Sequence, residues 1–180
     1  RKVKIGMIGK YVDLEDSYKS LNESLLHASV HNNNSLEIKF IDSEDITKNK
    51  LKILRGLQGI VVPGGFGNRG VEGKILTANY ARINNIPYLG ICLGMQISII
   101  EYARNVLGLK NANSTEFDIN TSHPVISLVT EWEDYKKGKL KGTLRQMGGT
   151  MRLGAQECNL IKKSLAYSLY KKNVITERHR

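Results

Sequence analysis

Short apolar segments alternate with helical segments along most of this 180-residue chain, and this alternation constrains the fold more than any other feature. Val3–Ile8 is typical of a buried strand, and Gly59–Val62 of a compact apolar strand. Leu36–Ile41 alternates like a strand, and Pro87–Ile91 is predicted to be another strand. Strands of this kind, separated by helices, form parallel sheets that are covered on both sides. The chain is therefore predicted to be an α/β protein with a mostly parallel sheet and helices on both faces.

The spacing of apolar side chains predicts the helices between these strands. No repeat, low-complexity tract or linker divides the sequence, so residues 1–180 are predicted to form one domain. The predicted helical segments are Asp13–His31, Leu51–Leu57, Val71–Asn84 and Gly94–Leu107. The weaker segments that follow are strands near Pro124–Val129 and Thr150–Cys158, a helix at Leu165–Tyr170 and a strand from Val174.

The net charge of +10 is concentrated at one end of the chain. Residues 135–180 hold 12 of the 27 basic side chains but only 2 of the 17 acidic ones. Such a segment first suggests nucleic acid, but Lys136–Lys141 and Lys162–Lys163 lack the regular aromatic residues of a base-stacking platform. A solvated lysine-rich surface is favoured, and we expect no nucleic-acid partner.

The sequence also argues against membrane and disulfide classes of protein. It contains no run of about 18 apolar residues, so no membrane partner is expected. No secretory leader is expected, and two cysteines 66 positions apart are expected to form neither a disulfide framework nor a thiolate metal site. A cytoplasmic location and no bound metal are therefore expected.

Cys92 is the leading candidate nucleophile. It lies at the centre of Gly90-Ile91-Cys92-Leu93-Gly94, between a predicted strand and a predicted helix. This is the Gly-x-nucleophile-x-Gly turn, in which flanking glycines fit where side chains would collide. The helix N-terminus would favour a thiolate, and the N–H of Leu93 would point toward a tetrahedral oxyanion. The alternative is a structural cysteine between two packing glycines.

A second glycine-rich loop, Pro63–Gly70, admits three interpretations. Gly65 to Gly70 matches the dinucleotide pattern G-x-G-x-x-G, but no acidic residue lies between Glu72 and Glu101 to bind a ribose. A Walker loop fails because Ile75 replaces the required Ser or Thr. The preferred interpretation is a loop of backbone N–H donors that completes the oxyanion hole of Cys92.

Three other residues are weaker candidates. His27 and His31 are spaced i, i+4, but Ala28 stands where a metalloprotease would have its glutamate. A solvent-facing helix end is favoured for both histidines. Cys158 lies in a strand pattern with no nearby base and is predicted to belong to the core.

The segment from Gly90 to Gln96, GICLGMQ, resembles the nucleophile segment of class I, triad-type glutamine amidotransferases. Four further stretches resemble the C-terminal glutaminase domain of the CTP synthase family. They are Pro63–Gly67 (PGGFG), Ala112–Asp118 (ANSTEFD), Gly148–Gly154 (GGTMRLG) and Glu177–Arg180 (ERHR). The resemblance covers the chain from about Val3 to its end and implies the flavodoxin-like fold of these amidotransferases.

The resemblance implies a cysteine glutaminase. Cys92 would attack the side-chain amide of glutamine to give a γ-glutamyl thioester and ammonia, with the N–H groups of Gly65 and Leu93 on the oxyanion. The implied glutamine-binding residues are Gly65, Leu93, Gly94, Met95, Gln96 and Glu116. No cofactor is implied in this domain. The whole enzyme, an expected homo-oligomer, would aminate UTP to CTP in an N-terminal synthetase domain with ATP and Mg²⁺, and GTP would activate it.

The sequence departs from the family pattern in two respects. We expect the family's synthetase domain to be absent from this chain, and the family's His-Pro-Glu segment, which holds its catalytic base, to fall beyond Arg180. His27, His31, His123 and His179 include none in that context, so we expect a C-terminally incomplete glutaminase with little activity. The alternatives are an amidotransferase domain of another pathway, a non-catalytic regulatory or assembly module of the same fold, and a basic nucleic-acid binder.

Overall fold

The computed structural model describes residues 1–10, 15–127, 131–134, 138–141 and 154–179. The chain divides into two compact units, Arg1–Ser127 and Leu128–Arg180, and each is described by itself.

A four-stranded parallel sheet is the centre of the first unit. Its strand order is β2-β1-β3-β4, and every neighbouring pair is parallel, as predicted. The strands are Lys2–Gly9 (β1), Ser35–Asp42 (β2), Gly59–Val62 (β3) and Tyr88–Gly90 (β4). The register aligns Gly9 with Asp42 and Val62 with Gly90, so the carboxyl ends of the strands meet at one edge. Ligand sites of open α/β sheets lie at this edge.

The sheet is covered on both faces because successive strand residues point to opposite sides. Met7 packs with Tyr18 and Val61 on one face, while its neighbour Ile8 packs with Ile60 and other apolar residues on the opposite face. Met7 and Ile8 are both fully buried. This is the packing that the continuous apolar runs predict.

Three helices of 13 residues flank this sheet. They are Lys19–His31 (α1), Val71–Ile83 (α2) and Leu93–Asn105 (α3). A 3-10 turn at Glu15–Tyr18 precedes α1, and the predicted start at Asp13 lies outside the described residues. Leu21 and Leu25 of α1 pack against the first face, and Ser29 of the same helix is buried. Helices α2 and α3 pack together through Val71, Ile75, Ala78, Leu93, Ile97 and Ile100.

The remaining elements form small sheets. Ala112–Ser114 (β5), which the sequence did not predict, pairs in parallel with His123–Ile126 (β6) in the first unit. In the second unit, Glu131–Asp134 (β7) pairs antiparallel with Gly138–Lys141 (β8), and Gly154–Asn159 (β9) with Val174–His179 (β10). The helix Leu165–Tyr170 (α4) is as predicted, while the predicted strand start at Thr150 lies outside the described residues. No helix in the described ranges is long and apolar enough to cross a membrane.

Candidate active site

The turn that carries Cys92 joins β4 directly to α3. The N–H of Ile91 donates to the carbonyl oxygen of Val62 at 2.9 Å, which continues the strand ladder one residue beyond Gly90. Cys92 then adopts φ 53° and ψ −108°, and α3 begins at Leu93. A positive φ in a residue with a β-carbon stores strain and is typical of functional turns. The predicted strand–turn–helix around the nucleophile is therefore present.

Glycines are required on both sides of this turn by close packing. A Cβ atom on Gly90 would collide with the backbone of Gly94, and one on Gly94 would collide with the carbonyl group of Val62. Both obstacles are main-chain atoms, which cannot move aside as a flexible side chain can. The two glycines therefore allow helix α3 to start directly against the sheet.

The start of α3 surrounds Cys92 with backbone N–H groups. The carbonyl oxygen of Cys92 accepts hydrogen bonds from the N–H of Met95 at 3.1 Å and that of Gln96 at 3.2 Å. Within the described part of the chain, nothing accepts a hydrogen bond from the N–H of Leu93. Cys92 itself is exposed. An exposed cysteine and an unused N–H donor are thus neighbours at a helix N-terminus, as a nucleophile with an oxyanion site requires.

The loop after β3 lies against this turn. A Cβ atom placed on Gly64 would be 3.4 Å from the Cβ and 3.9 Å from the Sγ of Cys92. One placed on Gly65 would be 3.6 Å from a methyl group of Leu93. The two loops therefore meet at the carboxyl edge of the sheet, which is the arrangement that a shared oxyanion hole needs. The role of Gly65 as a donor stays a prediction.

Glu116 joins the same region through the loop after β3. Its Oε1 accepts a hydrogen bond from the N–H of Gly67 at 2.8 Å, and its own N–H donates to the hydroxyl of Ser114 at 3.2 Å. The strand β5, which ends at Ser114, therefore places Glu116 beside the glycine loop. Gln96 is half-buried and Met95 exposed in the first turn of α3.

Two lysines beside the glycine loop were not among the sequence-predicted site residues. Lys10 follows β1 directly, and its Nζ donates to the carbonyl oxygen of Phe66 at 2.5 Å. Lys74 of α2 is only 2% exposed and lines a small cavity together with Lys10, Tyr18, Gly64 and other residues. Burial and the nearby charge of Lys10 lower the pKa of Lys74 to about 8, although Asp42 opposes this shift. The sequence offered one signal for this burial, the helical spacing. Lys74 lies three residues after buried Val71 and four before buried Ala78.

The other candidates belong to other elements of the chain. His27 and His31 are exposed on α1, as expected, and His123 is exposed on β6. Cys158 is half-buried in β9 rather than a core residue. In the described ranges, no side chain forms a hydrogen bond with the sulfur of Cys92, and no group of three or more His, Cys, Asp or Glu is arranged to hold a metal ion.

Comparison with known proteins decides the family. Residues 13–180 match the family model described as glutamine amidotransferase class-I. The chain belongs to this family. Among solved structures, this amidotransferase is similar to the glutaminase domain of CTPS from Trypanosoma brucei with bound acivicin, with a TM-score of 0.83 and 39% sequence identity. The match covers 99% of this chain and 66% of that one. These findings confirm the family resemblance and the α/β fold predicted from the sequence.

Proposed function

We propose that this class I amidotransferase domain hydrolyses the side-chain amide of glutamine and supplies the ammonia to a CTP synthase reaction. The observation that carries the proposal is the position of Cys92: a strained, exposed cysteine at the start of α3, facing the loop of Gly64 and Gly65. The likeness to a CTPS glutaminase domain that binds acivicin supports the same reaction.

The chemistry divides into two steps on the Cys92 sulfur. The thiolate attacks the side-chain carbonyl carbon of glutamine, and the oxyanion that forms lies between the N–H groups of Leu93 and Gly65. The carbon–nitrogen bond then breaks, and the nitrogen takes a proton and departs as ammonia. The γ-glutamyl group stays on Cys92 as a thioester. Water attacks the thioester, which releases glutamate and regenerates the thiol.

The remaining residues hold the substrate and move its protons. Glu116 would bind the α-ammonium group of glutamine, and the contact of its carboxylate with Gly67 of the donor loop supports this role. Gly94, Met95 and Gln96 follow the nucleophile in the first turn of α3 and complete the glutamine site. The family carries its base in a His-Pro-Glu segment that falls beyond the position of Arg180, and we expect the proton of Cys92 to pass to that histidine.

Ammonia is then used by a synthetase domain of the same polypeptide, which we propose as the partner of this domain. There, ATP with Mg²⁺ would phosphorylate UTP, ammonia would displace the phosphate to give CTP, and GTP would stimulate glutamine hydrolysis. We propose a cytoplasmic homo-oligomer as the whole enzyme. The motifs ANSTEFD and GGTMRLG support this pathway over other amidotransferases, although residues 148–153 lie outside the described residues.

The test compares two cysteine variants of the full-length protein. Cys92→Ala should lower glutamate release from glutamine by at least about 10³-fold, because the covalent step is lost. Cys158→Ser should leave the rate unchanged within about twofold, since it exchanges one small side chain for another and leaves the nucleophile turn intact. A diazo-ketone that mimics glutamine should label Cys92 and not Cys158. A wild-type protein that releases no glutamate from glutamine would favour a non-catalytic module.

A second measurement identifies the acceptor. With UTP, ATP and Mg²⁺, Cys92→Ala should still form CTP from added ammonia but not from glutamine. If the wild-type protein hydrolyses glutamine but forms no CTP from either nitrogen source, that result would instead favour an amidotransferase of another pathway. Binding of nucleic acid that persists at moderate salt would favour the alternative that the protein is a basic nucleic-acid binder.

A further inference from the structure

Lys10 and Glu116 bind opposite ends of one peptide group. The Nζ of Lys10 donates to the carbonyl oxygen of Phe66 at 2.5 Å, and the N–H of Gly67, which belongs to the same peptide, donates to Oε1 of Glu116 at 2.8 Å. Lys10 also lies 3.4 Å from the carbonyl oxygen of Gly67. A cation therefore holds the negative end of this peptide dipole while a carboxylate holds its positive end.

This peptide belongs to a loop in which three glycines leave the backbone unusually free. Gly64, Gly65 and Gly67 lack side chains, and Gly67 has φ +75°. Glycine backbones lose more conformational entropy on ordering than other residues, so such a loop needs external hydrogen bonds to stay in one state. Hydrogen bonds to charged groups are the strong ones, and they polarise the peptide between them.

We propose that Lys10 is a positioning residue for glutamine hydrolysis, which fixes the Phe66–Gly67 peptide and thereby the donor loop opposite Cys92. The inference rests on the proposed function. Lys10 would act at a distance from the reacting atoms. Its ammonium group holds the Phe66–Gly67 peptide, two peptide groups after the one that carries the Gly65 N–H, and so restricts the directions that this N–H can take. The small cavity that Lys10 shares with Gly64 and Gly65 places it against this loop.

The same contact couples the donor loop to the substrate site. Glu116 is expected to bind the α-ammonium group of glutamine, and Oε1 of this carboxylate already accepts from Gly67. When Lys10 polarises the Phe66–Gly67 peptide, it strengthens the hydrogen bond to Glu116. One chain of contacts therefore sets both the substrate's ammonium site and the oxyanion donors, which must stay in register for attack by Cys92.

The test uses Lys10→Met and Lys10→Arg in the full-length protein, with Lys39→Met as the matched control. Lys39 also donates from Nζ to a backbone carbonyl, that of Ile53 at 2.8 Å. Removing one oxyanion donor costs about 10²–10³ in kcat, so a displaced donor loop in Lys10→Met should cost about 10- to 100-fold, with KM changed less than about threefold. Lys10→Arg should restore most of kcat, because it keeps a cationic donor.

Alkylation of Cys92 by iodoacetamide distinguishes a positioning role of Lys10 from partial unfolding, because this reagent reacts without the oxyanion donors. Its rate should stay within about twofold of the wild-type rate in all three variants if the nucleophile turn is intact. A changed alkylation rate in Lys10→Met, or an equal loss of kcat in Lys39→Met, would overturn the inference by showing a general structural effect. A rise in KM with unchanged kcat would also overturn it.

A double-mutant cycle tests the shared peptide. Because Lys10 and Glu116 hold the same group, the loss of kcat/KM in Lys10→Met/Glu116→Gln should be smaller than the product of the single losses. Losses that multiply would contradict the coupling. If the wild-type protein does not hydrolyse glutamine, the proposed function fails; if it does and Lys10→Met matches it, only this inference fails.

Discussion

Tyr88 and Gly94 lie on either side of the nucleophile turn, and the hydroxyl of Tyr88 donates a hydrogen bond to the carbonyl oxygen of Gly94 at 2.8 Å. Tyr88 is the first residue of β4, and Gly94 is the second residue of α3. Burial and the nearby carboxylate of Glu101 raise the pKa of this phenol, so it stays a donor across the physiological range. The bond therefore clamps the turn that carries Cys92.

Tyr88→Phe should loosen this clamp without emptying the space that the ring fills. The expected loss is about 0.5–1.5 kcal/mol in the free energy of unfolding, which is the usual net contribution of one hydrogen bond. Glutamine hydrolysis should fall as well, because the turn is less firmly held. Tyr80→Phe is the matched control, since Tyr80 packs on the same sheet and its hydroxyl has no hydrogen bond in the described part of the chain. Equal losses in both variants would contradict the clamp.

The glycines of the two loops should respond very differently to an added methyl group. Gly94→Ala places a Cβ atom against the carbonyl of Val62 and should destabilise the protein by about 1–3 kcal/mol or more. Gly65→Ala meets only a methyl group of Leu93 at 3.6 Å, an ordinary contact. Urea unfolding measures both effects, and a Gly65→Ala variant as unstable as Gly94→Ala would contradict the packing argument.

The sheet and the nucleophile were predictable because their signals are local. A continuous apolar run such as Gly59–Val62 fits a strand buried on two faces, and the structure gives the same bounds. The turn at Cys92 was predictable because the two glycines around the nucleophile form a pattern of only five residues, although the carbonyl group that crowds Gly94 belongs to the distant Val62.

The residues that sequence reasoning missed depend on contacts between distant segments. Ala112–Ser114 forms a strand although Ala, Asn and Ser have low strand propensity, because pairing with β6 overrides that preference. Lys10 lies 56 residues from Phe66 in the sequence, and nothing in either local pattern indicates their contact. Lysine is normally a surface residue, so its residue type alone does not predict that Lys74 is buried. Only its position on the apolar face of helix α2 indicates the burial.

Lys74 should make the stability of the protein depend on pH above neutrality. Burial lowers its pKa from 10.5 to about 8 in the folded state. Below pH 8 the buried ammonium group is therefore charged, and this charge lowers the free energy of unfolding. The difference in pKa corresponds to a cost of up to about 3 kcal/mol, which is relieved as the pH rises from about 8 to 10.5. Lys74→Met should therefore be more stable than the wild type at pH 7, by about 1–3 kcal/mol.

The pH dependence distinguishes this effect from better packing alone. The advantage of Lys74→Met in denaturant unfolding should shrink steadily between pH 8 and pH 10.5. Lys52→Met, at an exposed position of the same unit, should change stability by less than about 0.5 kcal/mol. An advantage of Lys74→Met that is the same at pH 7 and pH 10 would show that the charge of Lys74 does not matter.

Glu101 should also make the stability of the protein rise with pH, but in the acidic range. Its side chain is 3% exposed and accepts from Nη2 of Arg82 at 2.8 Å and from Nδ2 of Asn79 at 2.9 Å. Burial raises the pKa of this carboxyl, but the hydrogen bonds from Arg82 and Asn79 outweigh burial, so the pKa lies below its usual value. A lowered folded-state pKa stabilises the protein above the unfolded value of about 4.5, and this stabilisation is lost as the pH falls through the folded-state pKa.

Arg82→Met should reverse this balance, because burial of Glu101 then acts without its cationic partner. The variant should be clearly destabilised at pH 7, where the folded protein must hold a buried and poorly compensated carboxylate. The loss should become smaller at pH 4, because protonation of Glu101 removes that charge. Lys2→Met, which breaks the exposed pair with Glu37, should have a much smaller effect at pH 7. Thermal unfolding of the three proteins at pH 7 and pH 4 gives the comparison, and a loss in Arg82→Met that grows as the pH falls would contradict it.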